Sequence, residues 1–443
     1  MVHPLASGTT IAAPVASWRL SFSAAFVVTA AACAASPGER AVERRDFAAL
    51  RLVLAEREKA GDLSNAEAAR LARAVAERDL RAASAADAVD FVRDARPCAR
   101  ELDDALASRM AIHDEAGAQA ALARIDGGGI QPVEARAFFD DPDSAWRAVG
   151  ARSLVRPEQH DARLRALLDP DPRVRREGAR AALDAKSPAD VAALAEAARV
   201  DPTPIVRTEA VRAIAAIPST ANGGTVQALR DVWESADDGL REDIALAWAG
   251  APLWGSGGRE ALRVLVASEH SPAAIDGAAA VLRHRDATVE EVGAAVGQLE
   301  RAIESGPVER RLQALAQAPL ERPELLAAVR AAAESDDSEV RVGALVRLLE
   351  TKDGRVVERL EALARPGSAV AARARFALAL SSDRRVQAWI ELDLGADRPE
   401  ARLAAATELA AMGRAGRAAP LLADGDARVR LRAACTIIAA ARR

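Results

Sequence analysis

Apolar and polar positions recur along residues 139–440 in one repeated order. Each unit has an acidic turn that often contains proline, then an apolar residue, then in most units an arginine, as in LLDPDPRVRREGARAALDA at residues 167–185. The apolar residue serves as an anchor for alignment, and successive anchors lie 28–34 residues apart. A fixed period of this length indicates a repeat architecture. The ten anchors are Trp146, Val174, Val206, Leu240, Ala274, Val308, Val340, Val370, Ala401 and Val429.

Each unit predicts a pair of helices. An aspartate or serine followed by proline, as in Asp171-Pro172, is a typical helix start. The anchor and the residues four and eight positions later share one helix face, which in this unit is Val174, Gly178 and Ala182. Small residues at the middle position allow close approach of the neighbouring helix. A second amphipathic helix fits each interval, for example at 191–199, 225–234, 261–268 and 356–365.

This series resembles the HEAT repeat, in particular the short variety named for phycobilisome-lyase proteins. The resemblance implies an all-α, right-handed α-solenoid of about ten stacked helical hairpins over residues 139–443. Interhelical spacings predict that ten stacked units form an array about 90 Å long. In that family the turn acid and the arginine after the anchor are mainly structural and form polar ladders between repeats; Ile275, Glu309 and Ala371 interrupt the ladder here. The matching structural arginines are Arg147, Arg175, Arg207, Arg241, Arg341, Arg402 and Arg430.

Residues 44–138 are less regular and predict a divergent N-terminal helical region packed onto the solenoid. Ser64 and Glu67 form a capping box at the start of a long helix. Further helices are expected at 44–59, 98–111, 114–124 and 132–139. The glycines at 127–129 predict a break before the clearer repeats.

The amino terminus resembles an export signal. One arginine, Arg19, precedes a short apolar run that ends in small residues, so residues 1–32 are expected to be a signal peptide. Ala30 to Cys33 resemble the lipobox of bacterial lipoproteins, although that family usually has leucine where Ala30 stands. The resemblance implies lipidation of Cys33, a tether at 33–43, and a lipid-anchored protein of the cell envelope, facing the periplasm or the surface. Another exported form and a cytosolic protein are the alternatives.

Composition narrows the possible functions. The chain has 60 basic and 65 acidic residues, a net charge of -5, and no tyrosine. Nucleic-acid-binding domains usually carry a basic face, so nucleic acid is not expected as a partner. Scarce aromatic and β-branched residues favour helices over strands. The three cysteines, Cys33, Cys98 and Cys435, do not indicate a disulfide framework.

No catalytic constellation is evident. The five histidines do not have the spacing of a metal site, and no phosphate-binding loop follows a strand. Paired carboxylates such as Asp237-Asp238 sit in repeat turns, where helix capping explains them. We therefore expect no catalytic residue, metal site or cofactor, and a protein that is not an enzyme.

Two features are candidate partner-binding positions. Trp254 stands in the glycine-rich stretch GAPLWGSGG, whereas Trp233 and Trp248 are expected to pack between repeats. The C-terminal helix is apolar over much of its circumference, and no polar capping repeat follows it. Val429, Ala433, Ile437 and part of Ile438 are expected to pack inward, which leaves a modest apolar end at Ile438 for a partner or for self-association.

The leading hypothesis is a non-catalytic scaffold or adaptor that binds unidentified proteins, on its concave face, and touches the membrane only through a lipid. A HEAT-like enzyme or cofactor-handling protein of the lyase type is one alternative. A cytosolic HEAT-like protein that binds nucleic acid is the other.

Overall fold

The computed structural model describes residues 35–60, 63–218, 224–268 and 271–442. Within these ranges the chain forms helices and turns, with no strand. The predicted all-α fold is confirmed. The predicted signal peptide and Cys33 lie outside the described residues.

Seven helices precede the repeats. They are α1 (Pro37–Glu43), α2 (Phe47–Ala60), α3 (Asn65–Ala82), α4 (Ala88–Ala95), α5 (Asp103–Met110), α6 (Glu115–Gly127) and α7 (Pro132–Ala135). Short 3₁₀ segments follow α4 and α7, at Arg96–Leu102 and Arg136–Asp140. The side chain of Ser64 caps α3, and α6 ends where Gly128 adopts a left-handed conformation with φ of 80°.

The repeats contribute nineteen further α-helices among the described residues. In chain order they are α8 (Ser144–Arg152), α9 (His160–Leu167), α10 (Pro172–Ala185), α11 (Val191–Val200), α12 (Pro204–Ala216), α13 (Gly224–Trp233), α14 (Asp238–Ala249), α15 (Ala251–Leu253), α16 (Arg259–Val266), α17 (Ala273–Arg283), α18 (Val289–Glu304), α19 (Val308–Gln317), α20 (Pro323–Ala332), α21 (Ser338–Leu348), α22 (Gly354–Ala364), α23 (Ala371–Leu380), α24 (Gln387–Asp393), α25 (Pro399–Ala411) and α26 (Ala427–Ala440).

These helices form two layers of an α-solenoid. The first layer holds the helices that carry the anchors: α8, α10, α12, α14, α17, α19, α21, α23, α25 and α26, each in contact with the next. The second layer holds α9, α11, α13, α16, α18, α20, α22, α24 and the 3₁₀ segment Ala415–Ala423. The anchors point into the space between the layers, where eight of the ten are buried and Val308 and Ala401 are half-buried.

Close approach between the layers depends on small residues. A Cβ atom added at Gly178 would lie 2.8 Å from the Cβ of Ala166 on α9. Helix α10 can therefore contact α9 at this distance only with glycine at the middle position of its apolar face, which is the role that the sequence pattern predicts for this position.

The two ends of the described chain meet. Helix α26 packs along α3 and also contacts α4 and the 3₁₀ segment Arg96–Leu102, while α6 contacts α8. Helices α3–α6 thus bridge the last repeat to the first, and the array is circular. The N-terminal helices pack onto the solenoid as expected, and they also complete the circle, which the sequence did not predict.

A disulfide and an ion pair fasten this closure. Cys98 is bonded to Cys435, 337 residues later in the chain, with their Cα atoms 5.2 Å apart. Arg430 donates two hydrogen bonds to Asp79 on α3, each 2.9 Å. The expectation that the cysteines form no disulfide framework is corrected for this pair, whose spacing along the chain carried no signal.

The C-terminal helix has no exposed apolar end. Ile438 is 5% exposed, and Val429, Ala433 and Ile437 are also buried. The proposed partner-binding role of Ile438 is not supported, because α3 and its neighbours cover α26. The missing polar cap of the solenoid is supplied by the N-terminal helices of the same chain.

Candidate interaction surface

Trp254 is buried rather than exposed. It is 7% exposed, its Nε1–H donates to Asp286 at 3.0 Å, and its ring stacks on His284 with the centroids 3.7 Å apart. Its surface is therefore used within the fold, and Trp254 is not available as an interface residue. Trp233 and Trp248 contact each other, with ring centroids 5.3 Å apart.

The arginines that follow the anchors contact aspartates and carbonyl groups in the turns before the first-layer helices. In four units the guanidinium reaches an aspartate of the following turn, and the pairs are Arg147–Asp169, Arg175–Asp201, Arg207–Asp237 and Arg402–Asp424. Arg341 instead donates to the carbonyl of Ser335 in its own turn, at 2.7 Å, and Arg241 lies 3.7 Å from Asp238. Arg430 binds Asp79 on α3 instead. The four arginine–aspartate pairs join consecutive turns of the scaffold, and all of these contacts leave the guanidinium groups little freedom to bind a ligand.

The first-layer helices have a second face, directed away from the second layer. It is formed by positions two, three and six residues after each anchor, and we call it the free face. Some of these positions carry exposed or half-buried side chains, such as Leu246 and Arg180, whereas others, such as Val149 and Val342, are buried. The side chains that reach the surface can differ from repeat to repeat and provide a binding surface.

The free face of the first repeats is a network of arginines and carboxylates. Arg152 on α8 reaches Asp184 at 2.6 Å, and Arg180 on α10 reaches Glu177 at 2.9 Å. Asp126 at the end of α6 lies between the two arginines, 3.3 Å from Arg152 and 3.2 Å from Arg180. The charges in this part of the surface are largely compensated.

Two carboxyl groups meet at the middle of the free face. Glu242 on α14 hydrogen-bonds Asp276 on α17, and Gln317 on α19 donates to Asp276 at 3.0 Å. Burial and their mutual repulsion raise the pKa of Glu242, and burial raises the pKa of Asp276. The pair can hold one proton between its oxygens. Both residues stand two positions after an anchor, and this shared register is the signal that could have found them.

A cleft of about 430 Å³ opens on the free face of the last repeats. Its walls are Phe376 and Leu380 on α23, the face of α25 that carries Leu403, and the face of α26 that carries Arg432. Residues of the N-terminal region, among them Pro97, complete it. The cleft therefore exists only where the two ends of the chain meet.

Two buried polar clusters were missed by sequence reasoning. Asp190 accepts hydrogen bonds from Arg163 at 2.8 Å and contacts His160 at 2.6 Å, with both Arg163 and Asp190 fully buried. Glu408 on α25 is buried near Arg375. The partners in each cluster come from different helices, so no local pattern marks them.

The described ranges contain no group of three or more histidine, cysteine, aspartate or glutamate side chains arranged to hold a metal ion. No helix within those ranges combines the length and apolar composition of a bilayer span.

Comparisons with known proteins return distant structural likenesses. No protein-family model matches the chain, and no curated protein does. A crystal structure of an engineered protein from the Northeast Structural Genomics Consortium is 20% identical with a TM-score of 0.30, and the match covers 71% of this chain and 95% of that one. Karyopherin Kap121p bound to the extreme C-terminus of the protein phosphatase Cdc14p is 13% identical with a TM-score of 0.28, and the match covers 82% of this chain.

Kap121p bound to Pho4p is 14% identical, also with a TM-score of 0.28 and 82% of this chain covered. The matches cover 48% of Kap121p, so this chain matches about half of that protein. At these TM-scores the likeness carries no argument about function. The assignment as an α-solenoid rests on the helices and their layers.

Proposed function

We propose that this protein is a non-catalytic scaffold that binds other proteins through its free face and is anchored to the bacterial envelope by a lipid on Cys33. The observation that carries the proposal is the free face itself, which continues over the stacked first-layer helices and changes from charged to apolar around the circle. Stacked helical repeats commonly use such extended surfaces for binding.

The Cys98–Cys435 disulfide supports the proposed location in the cell envelope. Disulfides form and persist in oxidising compartments and are rare in the reducing cytosol. Both sulfur atoms belong to buried residues at the closure of the circle, where the bond joins structural elements. This agrees with the export signal proposed from residues 1–33.

Fractionation with intact mass measurement tests the anchor. Wild type is expected in the membrane fraction with the mass increase of a lipidated cysteine, and Cys33→Ala is expected to lose both the lipid and the membrane association. Full-length, unmodified wild type in the soluble cytoplasmic fraction would show that the proposed envelope location is wrong.

Site-specific photo-crosslinking in cells tests the binding surface. A photoreactive residue at Leu246, an exposed position on the free face of α14, is compared with one at Val264, an exposed position on second-layer helix α16. We expect discrete crosslinked proteins from Leu246 and none from Val264. Equal products from both positions, or none from either, would contradict binding through the free face.

A further inference from the structure

The cleft at the closure of the circle has the size and the apolar lining of a small-molecule site. Its volume of about 430 Å³ lies within the range of roughly 300–1,000 Å³ that is usual for ligand pockets. Two large apolar residues on its walls are exposed: Phe376 is 40% and Leu380 59% exposed. They stand four positions apart on α23, so both project from one side of the helix into the same opening.

The walls continue this apolar character on the two neighbouring helices. On α25 the cleft is lined by Leu403, Thr407 and Ala411, which are spaced by four and share one face, and also by Ala410. Thr407 donates its hydroxyl hydrogen to the carbonyl of Leu403 at 3.0 Å. This hydroxyl is therefore already bonded within its own helix, and the wall presents mainly carbon to the cleft.

Two charged residues line the cleft, and only one is neutralised. Asp94 is paired with Arg428, whose Nε lies 2.8 Å from its carboxylate. Arg432 on α26 is exposed, and no carboxylate of the described chain pairs with its guanidinium. The cleft thus combines an apolar wall with one uncompensated positive charge.

We propose that this cleft binds a single-chain amphiphilic anion, such as a fatty acid, with its hydrocarbon chain along Phe376, Leu380 and Leu403 and its carboxylate at Arg432. The hydrocarbon chain of the ligand covers the exposed apolar side chains of the wall and removes them from water. The carboxylate supplies the negative charge that Arg432 lacks and fits the fork of donors on a guanidinium. This site is separate from protein binding on the rest of the free face.

Calorimetric titration of the full folded protein with dodecanoate, below its micelle concentration, tests the proposal. We expect one site per chain and an affinity that falls about fourfold for each methylene removed, as in decanoate and octanoate. Dodecyltrimethylammonium has the same chain with the opposite charge and is expected to bind at least tenfold more weakly, because it would meet Arg432.

Matched variants locate the site. Arg432→Gln should weaken dodecanoate binding about tenfold, whereas Arg355→Gln, at an exposed arginine on α22, should leave it unchanged. Leu380→Asp should abolish binding, whereas Leu392→Asp, at an exposed leucine on α24, should not. Circular dichroism melting confirms that each variant is folded.

Several results would overturn the proposal. These are no binding of dodecanoate, equal binding of the cationic amphiphile, or identical affinities for Arg432→Gln and Arg355→Gln. If dodecanoate fails to bind while a photoreactive residue at Phe376 crosslinks a protein, the cleft is a protein docking site. That outcome would leave the proposed scaffold function intact and reject the amphiphile.

Discussion

Glu408 is a buried carboxyl group in an unusual environment. It is 4% exposed, and its Oε2 atom has no hydrogen-bond partner in the described structure. The nearby Arg375 is engaged with Asp393, 2.7 Å away. Burial raises the pKa of Glu408 to about 7, and Arg375 opposes this increase only in part.

This raised pKa predicts a loss of stability at alkaline pH. The folded protein holds the proton on Glu408 more tightly than the unfolded chain does. The stabilisation that comes from this proton is therefore fully present below about pH 4.5 and is lost as the pH rises through 7. We expect the wild type to lose about 1–3 kcal/mol between pH 5 and pH 8 relative to Glu408→Gln in urea denaturation. Glu358→Gln, at an exposed carboxyl, should follow the wild type. Parallel pH profiles for wild type and Glu408→Gln would contradict this role.

Single residues could be predicted from the sequence where their role is repeated. The anchors were found because the same position is apolar in every unit, and the arginine–aspartate contacts follow from one recurring turn. Glu408 and the Arg163–Asp190 pair each occur in one unit only. Their environment depends on how several helices pack, which no single stretch of sequence records.

Most helices could be predicted because caps and apolar periodicity mark them locally. The predicted second helices at 191–199 and 356–365 correspond to α11 and α22. Helix α4 was not predicted, since it is short and begins without a side-chain cap. The second-layer segment Ala415–Ala423 is a 3₁₀ helix containing Pro420, which has no N–H for a regular helix ladder.

Two glycines test how closely the helices pack. A Cβ atom at Gly150 on α8 would clash with the backbone of Phe138 and Phe139, lying 2.6 Å from the Phe138 carbonyl carbon. Because backbone must move to relieve this clash, Gly150→Ala should destabilise the protein by about 1–3 kcal/mol. Gly293 in α18 has open space around it, so Gly293→Ala should stabilise by about 0.5–1 kcal/mol.

Chemical denaturation of both glycine variants beside the wild type provides the measurement. Opposite changes in the midpoint are expected. A stabilising effect of Gly150→Ala would show that the 3₁₀ segment Arg136–Asp140 does not pack against α8 as described.

The circular arrangement could not be predicted, although its components could. Sequence reasoning found a solenoid and a divergent N-terminal region, and it treated the C-terminal helix as a free end. The contacts that close the circle join residues more than 300 positions apart, as in Arg430–Asp79 and Cys98–Cys435. Arg430 has the ladder arginine's position, but its acid comes from α3 at the other end of the described chain, and nothing in the local sequence marks that partner.

Closure by the disulfide predicts a redox-dependent stability. The double variant Cys98→Ser/Cys435→Ser lacks the bond between two residues that are 337 positions apart. Loss of a disulfide usually lowers the free energy of unfolding by about 2–5 kcal/mol. We expect the double variant to have a lower denaturation midpoint than the wild type. Its hydrogen exchange should accelerate in α3 and α26, and accelerate less in α12, which lies far from the closure. Wild type in dithiothreitol should behave like the double variant, and the double variant should not respond to dithiothreitol. Unchanged exchange in α3 and α26 would mean that packing alone holds the circle closed.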